Sequence, residues 1–380
     1  MNAPALAYLD HAATTPMRPE ALEAMLPFYG ERFGNPSGSH RVARDARRAV
    51  DEARDVMASA LGCRPGEVVF TGCGTEADSM AILGTLRRRG GVAVCSSVEH
   101  HAVLDVVGHT GGRVVGVDSC GRIDLDALAS VLDETVSLVS VMAVNNEVGS
   151  ISPMFDVAEL VRKVAPNALL HTDAIQATTW MDLRELTAMV DLMSLSAHKF
   201  GGPKGVGALM VKEGVTVEPL LLGGGQERDR RSGTHNVAGI VAMATALGLT
   251  DARRGEDVAR IGALRDRLVD GLLERVHDAI ETVPRHAKVA GSAHVCFAGV
   301  DSESLLFLAD VGGVCASAAS ACASGAMEPS HVLAAMGASR AHAGGALRLT
   351  LGYSSTDADV ENALEVIPSA VARIRERAVS

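Results

Sequence analysis

The sequence is poor in aromatic residues, and its cysteines are few and widely spaced. Only 3% of the 380 residues are Phe, Trp or Tyr, so the core must consist mostly of aliphatic and small side chains. The odd number of cysteines favours a reducing compartment over a disulfide framework. No Cys-x-x-Cys pair occurs, so the usual signature of a zinc site is missing and no metal site is predicted. The cysteines lie at positions 63, 73, 95, 120, 296, 315 and 322.

Long apolar runs and an excess of positive charge are also absent. No stretch of about 18 uncharged apolar residues occurs, which argues against a membrane-spanning helix. The first residues, MNAPALAYLDHAATTP, lack the basic start and apolar run of a secretory signal, so we expect a cytoplasmic protein. The formal net charge of −11 argues against broad electrostatic binding of nucleic acid.

Strand-like and helix-like segments alternate through the first part of the chain. Apolar runs with little polar alternation are typical of strands that are covered on both faces. Helix-like segments separate these runs, and Asp124 and Asp156 stand where two of the helices begin. The pattern predicts an α/β fold around a mostly parallel sheet. The predicted strands are Val92–Ser97, Arg113–Val117, Val136–Val144, Ala168–Asp173, Val190–Ser196 and Val206–Val211.

The pattern changes after residue 236, and 380 residues exceed one typical domain. A long helical stretch, Val237 to His277, is followed by a strand near His294–Phe297 and by helices near Glu303–Val311 and Asp357–Arg377. These segments predict a smaller α+β domain, with which the start of the chain packs. We therefore predict a large α/β domain over residues 15–255 and a small domain made of residues 1–14 and 256–380.

A glycine-rich turn joins an apolar strand to a helix near residue 71. The run Thr71-Gly72-Cys73-Gly74-Thr75-Glu76 follows the apolar residues 68–70. Free backbone N–H groups and the positive end of a helix would meet there, which suits a phosphate group. The turn could equally be a simple connection. Another polar loop, residues 231–236, includes Thr234 and could also donate hydrogen bonds to phosphate.

Three further positions carry reactive side chains. Lys199 follows a strand and precedes Gly-Gly-Pro, a place where α/β sheets bind ligands, and lysine can form a Schiff base when its pKa is lowered. Asp173 ends another strand and could keep a pyridine nitrogen protonated, or merely cap a helix. Cys322 lies among small residues, which favours an accessible thiol, although lone cysteines are most often buried and inert.

Several longer motifs occur in order along nearly the whole chain. On these motifs the sequence resembles the cysteine desulfurases of the NifS/IscS type, in the class V aminotransferase superfamily of fold-type I enzymes. The motifs are Tyr8-Leu9-Asp10-His11-Ala12-Ala13-Thr14-Thr15-Pro16, Gly34-Asn35-Pro36-Ser37-Gly38-Ser39-His40, Val98-Glu99-His100-His101-Ala102-Val103, Asn145-Asn146-Glu147-Val148-Gly149, Glu328-Pro329-Ser330-His331-Val332-Leu333 and Leu347-Arg348-Leu349-Thr350-Leu351-Gly352.

The resemblance implies a fold-type I transferase that depends on pyridoxal 5′-phosphate (PLP), with a large domain around a mostly parallel mixed sheet and a smaller α+β domain. It implies that Lys199 holds PLP covalently, that His100 stacks on the ring and that Asp173 faces the ring nitrogen. The other residues that it implies for PLP are Asn146 and Gln176 at the phenolic oxygen, Gly74, Thr75, Ser196 and His198 at the phosphate, and Thr234 from the neighbouring subunit of a homodimer.

For the substrate, the resemblance implies that Arg348 and Asn35 bind the carboxylate of L-cysteine. Cys322 matches the nucleophile that takes the sulfur as a persulfide, with His100 as acid–base partner and L-alanine as product. The small residue Cys315 is interpreted as packed, with a second sulfur carrier as the alternative. The acceptor would be a protein that serves iron–sulfur cluster assembly, tRNA thiolation or DNA phosphorothioation.

Two other functions fit parts of this pattern. A transaminase or a lyase for another amino acid, such as selenocysteine lyase, would share the fold, but a transaminase needs no nucleophilic thiol. A non-catalytic scaffold would have no use for the set Lys199, Asp173, His100 and Cys322. The chain also departs from its relatives at Gln226, where histidine is common, and at Ala318-Ala319, where the more flexible Ser-Gly is common.

Overall fold

A seven-stranded mixed sheet is the largest layer of the protein. The computed structural model describes residues 6–318 and 330–379. The strand order is β2-β8-β7-β6-β5-β3-β4, and only β8 runs antiparallel to its neighbours. The mostly parallel sheet predicted from the sequence is therefore confirmed. The strands of the protein are β1 (Ala7–Tyr8), β2 (Val68–Thr71), β3 (Val92–Ser96), β4 (Arg113–Val115), β5 (Val136–Ser140), β6 (Leu169–Asp173), β7 (Leu192–Ser196), β8 (Gly207–Val211), β9 (Ala279–Glu281), β10 (Ser292–Phe297), β11 (Val314–Cys315) and β12 (Ala346–Thr350).

Helices cover both faces of this sheet, which explains its continuous apolar runs. Successive residues of a strand point to opposite faces. Leu169 packs in the cluster under α3 and α4, whereas Leu170 packs in the cluster under α2, α6, α7 and the start of α8. The helices are α1 (Pro19–Met25), α2 (Arg41–Leu61), α3 (Gly74–Arg89), α4 (His101–His109), α5 (Leu125–Val131), α6 (Met154–Val164), α7 (Leu183–Met189), α8 (Val237–Arg275), α9 (Ser302–Val311), α10 (His331–Ala335), α11 (Arg340–Ala343) and α12 (Asp357–Val379).

A second core lies around a three-stranded antiparallel sheet of order β12-β10-β9. Helices α9 and α12 pack against it, and the short strand β1 pairs in parallel with β11 at its side. Helix α8 links the two cores, since residues 238–247 are buried in the first and residues 261–272 in the second. The domain limits at residues 14 and 255 stay predictions. None of the described helices combines the length and apolar character needed to cross a membrane.

A left-handed turn supports the polar loop at residues 231–236. Glu227, Arg228 and Asp229 have φ angles of 32°, 58° and 63°, an uncommon run for residues other than glycine. The buried Glu227 carboxylate holds the turn through a two-point contact with Arg54, at 2.6 and 2.8 Å, and through the Phe70 N–H at 2.9 Å. The pKa of Glu227 is lowered to about 2 despite its burial, because His235 and Arg54 bind the charged form.

Candidate active site

The carboxyl ends of β5, β6 and β7 meet at one edge of the large sheet, and a cavity of about 430 Å³ lies there. Residues from the start of the chain and from β12 close its other side. Most of the residues predicted for the site line this cavity. They are Gly74, Thr75, His100, Asn146, Asp173, Gln176, Ser196, His198, Lys199 and Arg348.

One end of the cavity is formed by the start of α3. This helix begins at Gly74, directly after β2, and the first N–H groups of a helix have no partner within it. A Cβ atom at Gly74 would displace the end of the Ile175 side chain and crowd Ser196, so glycine leaves space beside the first turn of the helix. His198 lies on the same cavity wall, with its Nδ1 3.1 Å from the Thr14 hydroxyl. These groups form a small polar cup with positive character.

Lys199 reaches into the cavity from a short turn at the end of β7. Its Nζ donates to the backbone oxygens of Ala12 at 2.6 Å and Ala13 at 2.8 Å. Burial, and then the nearby charge of Arg348, lower the pKa of Lys199 to about 8. A substantial fraction of the amine is therefore neutral near pH 8, and a neutral amine can attack an aldehyde.

Asp173 lies at the end of β6, buried in the cavity wall. Its Oδ1 accepts a hydrogen bond from the Ile175 N–H at 2.8 Å. Burial raises the pKa of Asp173 to about 6, while the Ile175 N–H and the Lys199 charge oppose the rise. A cationic group placed against it would lower that pKa, so the site is suited to a protonated heterocycle.

His100 caps the start of α4 and lines the cavity. Its Nδ1 accepts from the Ala102 N–H at 3.1 Å, so Nε2 carries the proton of the neutral ring. The pKa of His100 is lowered by burial and then by Lys199, so the neutral form dominates at pH 7. The neighbouring Glu99 is fully buried and holds this loop through the Ser96 hydroxyl at 2.6 Å and the Met142 N–H at 2.9 Å.

Arg348 lies on β12 with most of its side chain buried. One guanidinium nitrogen contacts Asp10 Oδ1 at 2.7 Å and another donates to the Asn146 backbone oxygen at 3.1 Å. Its backbone pairs with Ser317, which also lines the cavity. A fixed guanidinium at the cavity wall can bind a carboxylate. Gln176 stays near the same wall, because its Nε2 donates to the Ala12 oxygen at 2.8 Å.

Two of the predicted residues that the structure describes, Asn35 and Thr234, do not line this cavity. Asn35 is exposed, and its Oδ1 accepts from the Ser37 N–H at 3.0 Å. Thr234 is exposed beside a separate cavity of about 100 Å³, which Gly72 and Arg231 also line. Cys322 lies outside the described residues.

The sequence matches the family model described as Aminotransferase class-V over residues 7–363. The chain belongs to the class-V aminotransferase family. The IscS-like cysteine desulfurase of Mycobacterium tuberculosis is 45% identical over 99% of this chain and 98% of that relative. The solved structure titled NIFS-LIKE PROTEIN has a TM-score of 0.90 at 35% identity, covering 97% of this chain and 100% of that one. A structure titled SspA in complex with cysteine has a TM-score of 0.80 at 28% identity, covering 92% and 100%.

These similarities place the chain among the NifS/IscS-type cysteine desulfurases of the class-V aminotransferase family, whose cofactor is PLP. The cavity fits PLP on three independent points. The start of α3, with glycine at its first position, suits the phosphate. Lys199 offers an amine of lowered pKa for the aldehyde, and Asp173 offers a buried carboxyl for the ring nitrogen.

The sequence gives no role to two residues that belong in or beside the cavity. Asp10 does not line the cavity, but it is the ion-pair partner of Arg348, which does. Asp78 is a buried acid in α3 that lines the cavity. Its spacing of three from Thr75 places both residues on one side of the helix, and this spacing was the available signal.

The lowered pKa of Lys199 predicts how fast the cofactor-free protein captures PLP. Only the neutral amine attacks the aldehyde, so the capture rate should rise about tenfold per pH unit below 8 and level off above it. Stopped-flow absorbance after mixing the cofactor-free protein with PLP from pH 6 to 9.5 measures this rate. A rate still rising steeply at pH 9.5 would show that the amine has the pKa of an ordinary lysine.

Proposed function

We propose that this chain desulfurates L-cysteine with PLP, taking the sulfur onto Cys322 as a persulfide and leaving L-alanine. One observation carries the proposal. A lysine amine of lowered pKa, a buried carboxyl and a guanidinium line the same cavity at the edge of the sheet. Bound PLP supplies an electron sink that weakens the bonds at the α-carbon of an amino acid.

Each group of the cavity has a distinct task in this proposal. Arg348 binds the carboxylate of the substrate. Its guanidinium is already held in place by Asp10 and the Asn146 carbonyl. Asp173 accepts the hydrogen bond of the ring N–H and so keeps that nitrogen protonated. Lys199, once released from its covalent link, moves a proton at the substrate α-carbon through Nζ.

The phosphate and the ring are held by the other cavity residues. Gly74, Thr75, Ser196 and His198 bind the phosphate in this proposal, while Asn146 and Gln176 lie at the phenolic oxygen. His100 packs on the ring, and its Nε2–H is available to donate a proton to the substrate during sulfur transfer. Asn35 joins Arg348 at the carboxylate.

The sulfur transfer balances without any further reactant. The Cys322 thiolate attacks the sulfur of the substrate, a new S–S bond forms and the bond between Cβ and that sulfur breaks. The electron pair of the broken bond returns to the substrate carbon skeleton, which takes up protons to become alanine. Cysteine and one enzyme thiol thus give alanine and one enzyme persulfide, and an acceptor protein then removes the outer sulfur.

A homodimer is part of the proposal, because large apolar side chains are exposed on two segments of the surface. Leu22, Leu26, Tyr29 and Phe33 are 43–72% exposed, and Leu222 is 83% exposed. Patches of this kind mark interaction sites. Leu222 belongs to the segment that leads to Thr234, and in the proposed homodimer Thr234 reaches the phosphate of the second subunit.

The proposal also includes the protein that accepts the sulfur and the cellular compartment in which the transfer takes place. An iron–sulfur scaffold, a tRNA thiolation enzyme or the DNA phosphorothioation machinery would receive the sulfur in the cytoplasm. The net charge of −11 supports delivery through a protein partner, with nucleic acid handled by that partner.

The test is a product balance on the PLP-loaded protein with L-cysteine and a thiol reductant. We expect alanine and sulfide in equal amounts, with a yellow preparation before substrate is added. L-serine replaces cysteine in the negative control, and selenocysteine in a parallel reaction tests the lyase alternative. Pyruvate and ammonia in place of alanine, or turnover of selenocysteine alone, would contradict the proposed function.

A further inference from the structure

Polar side chains lie together on the sheet face that α3 covers, behind the cavity. Ser140, His171 and Ser194 come from β5, β6 and β7. Asp173 stands two residues after His171 and therefore on the same face of β6. Polar groups in a buried layer need partners, so their contacts show what the layer does.

His171 is satisfied by two hydroxyl groups. Its Nδ1 lies 2.8 Å from the Ser140 hydroxyl and its Nε2 lies 3.0 Å from the Ser194 hydroxyl. Complete burial lowers the pKa of His171 to about 3, so the ring is neutral at any pH at which the protein works. His171 therefore offers no positive charge to a neighbouring carboxylate.

Asp78 meets this layer from α3 with no exposed surface. Neither of its oxygens has a hydrogen bond of acceptable geometry among the residues that the structure describes, although the Ser194 hydroxyl lies near enough to oppose part of the rise in its pKa. His171 Nε2 is 3.7 Å away, beyond hydrogen-bond distance. An ionised carboxylate in such surroundings is expensive, whereas a protonated carboxyl is tolerated.

The charges of the neighbouring groups also favour a protonated Asp78. Asp173 and Glu99 are buried acids, Cys73 is a thiol at the start of α3, and Lys199 is the cation that acts on Asp173. Burial first, and the charge of Asp173 second, raise the pKa of Asp78 well above its usual value. Burial also raises the pKa of Glu99 to about 8. This part of the protein can hold one negative charge at low cost, but not three.

We propose that Asp78 is a positioning residue that keeps its proton, so that Asp173 alone carries the negative charge that faces the ring nitrogen of PLP. This inference rests on the proposed function for the identity of the ring. A neutral Asp78 fills the space behind Asp173 with a polar group and adds no competing charge. The Asp173 carboxylate is then free to ionise against the cofactor.

Proton linkage gives a suitable test, because a purely structural role of Asp78 would not change how the melting temperature depends on pH. An acid whose pKa is raised on folding stabilises the protein fully below its unfolded pKa, and this contribution is lost as pH rises toward the folded pKa. Asp78→Asn removes this pH-dependent loss. The melting temperature of the PLP-loaded Asp78→Asn protein should therefore rise with pH relative to the unchanged protein, by about 2 °C per pH unit, from about pH 4 up to the raised pKa of Asp78.

Two further measurements accompany the melting curves. Infrared difference spectra in H₂O and D₂O should show a protonated carboxyl band at pH 7 that Asp78→Asn lacks. The pH midpoint of the visible cofactor band should stay within about 0.3 units of its original value, because no charge has been removed. Asp105→Asn, in the exposed first turns of α4, is the matched control and should change neither the infrared band nor the pH trend of melting.

The opposite results would overturn the inference. These are a melting difference that is constant with pH, an unchanged infrared band, and a cofactor midpoint lowered by about one unit. If Asp78→Asn fails to fold, Asp78→Glu provides the same infrared comparison through the changed position of its band. A failure of the proposed function shows instead as absent alanine in the unchanged protein, which is a separate outcome.

Discussion

Lys199→Ala protein should retain PLP only by non-covalent contacts and should lose L-cysteine desulfuration by about a thousandfold or more. The physical reason is that Lys199 has two tasks in the proposal: it holds the aldehyde and it moves the proton at the α-carbon. Among the described residues of the cavity it is the sole lysine, so no other such amine stands ready to replace it. Borohydride reduction followed by denaturation and mass spectrometry measures the covalent link.

Lys204 provides a matched control for this experiment. It lies five residues further along the same loop, exposed to solvent and outside the cavity. Lys204→Ala should keep both the covalent link and the activity within about twofold. Borohydride-stable PLP in Lys199→Ala, or equal losses in the two variants, would show that a different amine holds the cofactor.

Cys322→Ser protein should bind PLP with an unchanged visible spectrum, yet form alanine and sulfide at least about a hundredfold more slowly. A serine hydroxyl ionises at a pH far above that of a thiol, so it cannot attack the substrate sulfur as an anion at neutral pH. The measurement combines alanine quantification with persulfide detection on the intact protein after a single addition of cysteine. The unchanged protein should carry one extra sulfur atom and the variant none.

Cys315→Ser serves as the control and tests the alternative sulfur carrier. Cys315 lies on β11, and burial raises the pKa of its thiol, so it is a poor source of thiolate. Its replacement should leave the rate within about twofold. Normal alanine formation by Cys322→Ser, or loss of the persulfide in Cys315→Ser, would falsify the assignment of Cys322 as the acceptor of sulfur.

The fold could be predicted largely from the local pattern of apolar and polar residues. Runs such as Leu169–Leu170 and Leu192–Met193 are apolar on both sides because helices cover both faces, and the sequence shows this directly. The antiparallel direction of β8 could not be predicted, because an apolar run such as Gly207–Val211 has the same composition in either direction. The ends of β3, β4 and β5 were predicted too late, whereas those of β6, β7 and β8 were correct. The largest error is at β5, because buried loop residues such as Val141 and Val144 continue its apolar run.

Those site residues were predictable whose motifs directly follow a predicted strand. Lys199 and Asp173 follow β7 and β6, and neighbouring strands bring them together. Asp10 was not predictable as a site residue, because its partner Arg348 lies 338 residues away. The helical spacing of Asp78 places it beside Thr75, but its lack of a well-formed hydrogen bond among the described residues is visible only in the structure. Asn35 and Thr234 do not line this cavity, so their predicted roles stay predictions, and that of Thr234 requires the second subunit of the proposed homodimer.

The pairing of Ser317 with Arg348 limits where the persulfide that we propose on Cys322 can be delivered. Ser317 is fixed at the cavity wall, and Cys322 follows it by five residues. Whatever path those residues take, a polypeptide of that length spans at most about 18 Å. The sulfur atom therefore cannot travel far over the surface, and the recipient must bring its own receiving group to the mouth of the cavity. A recipient whose receiving group is recessed by more than this distance is excluded on geometry alone, which narrows the choice among candidate acceptors before any binding is measured.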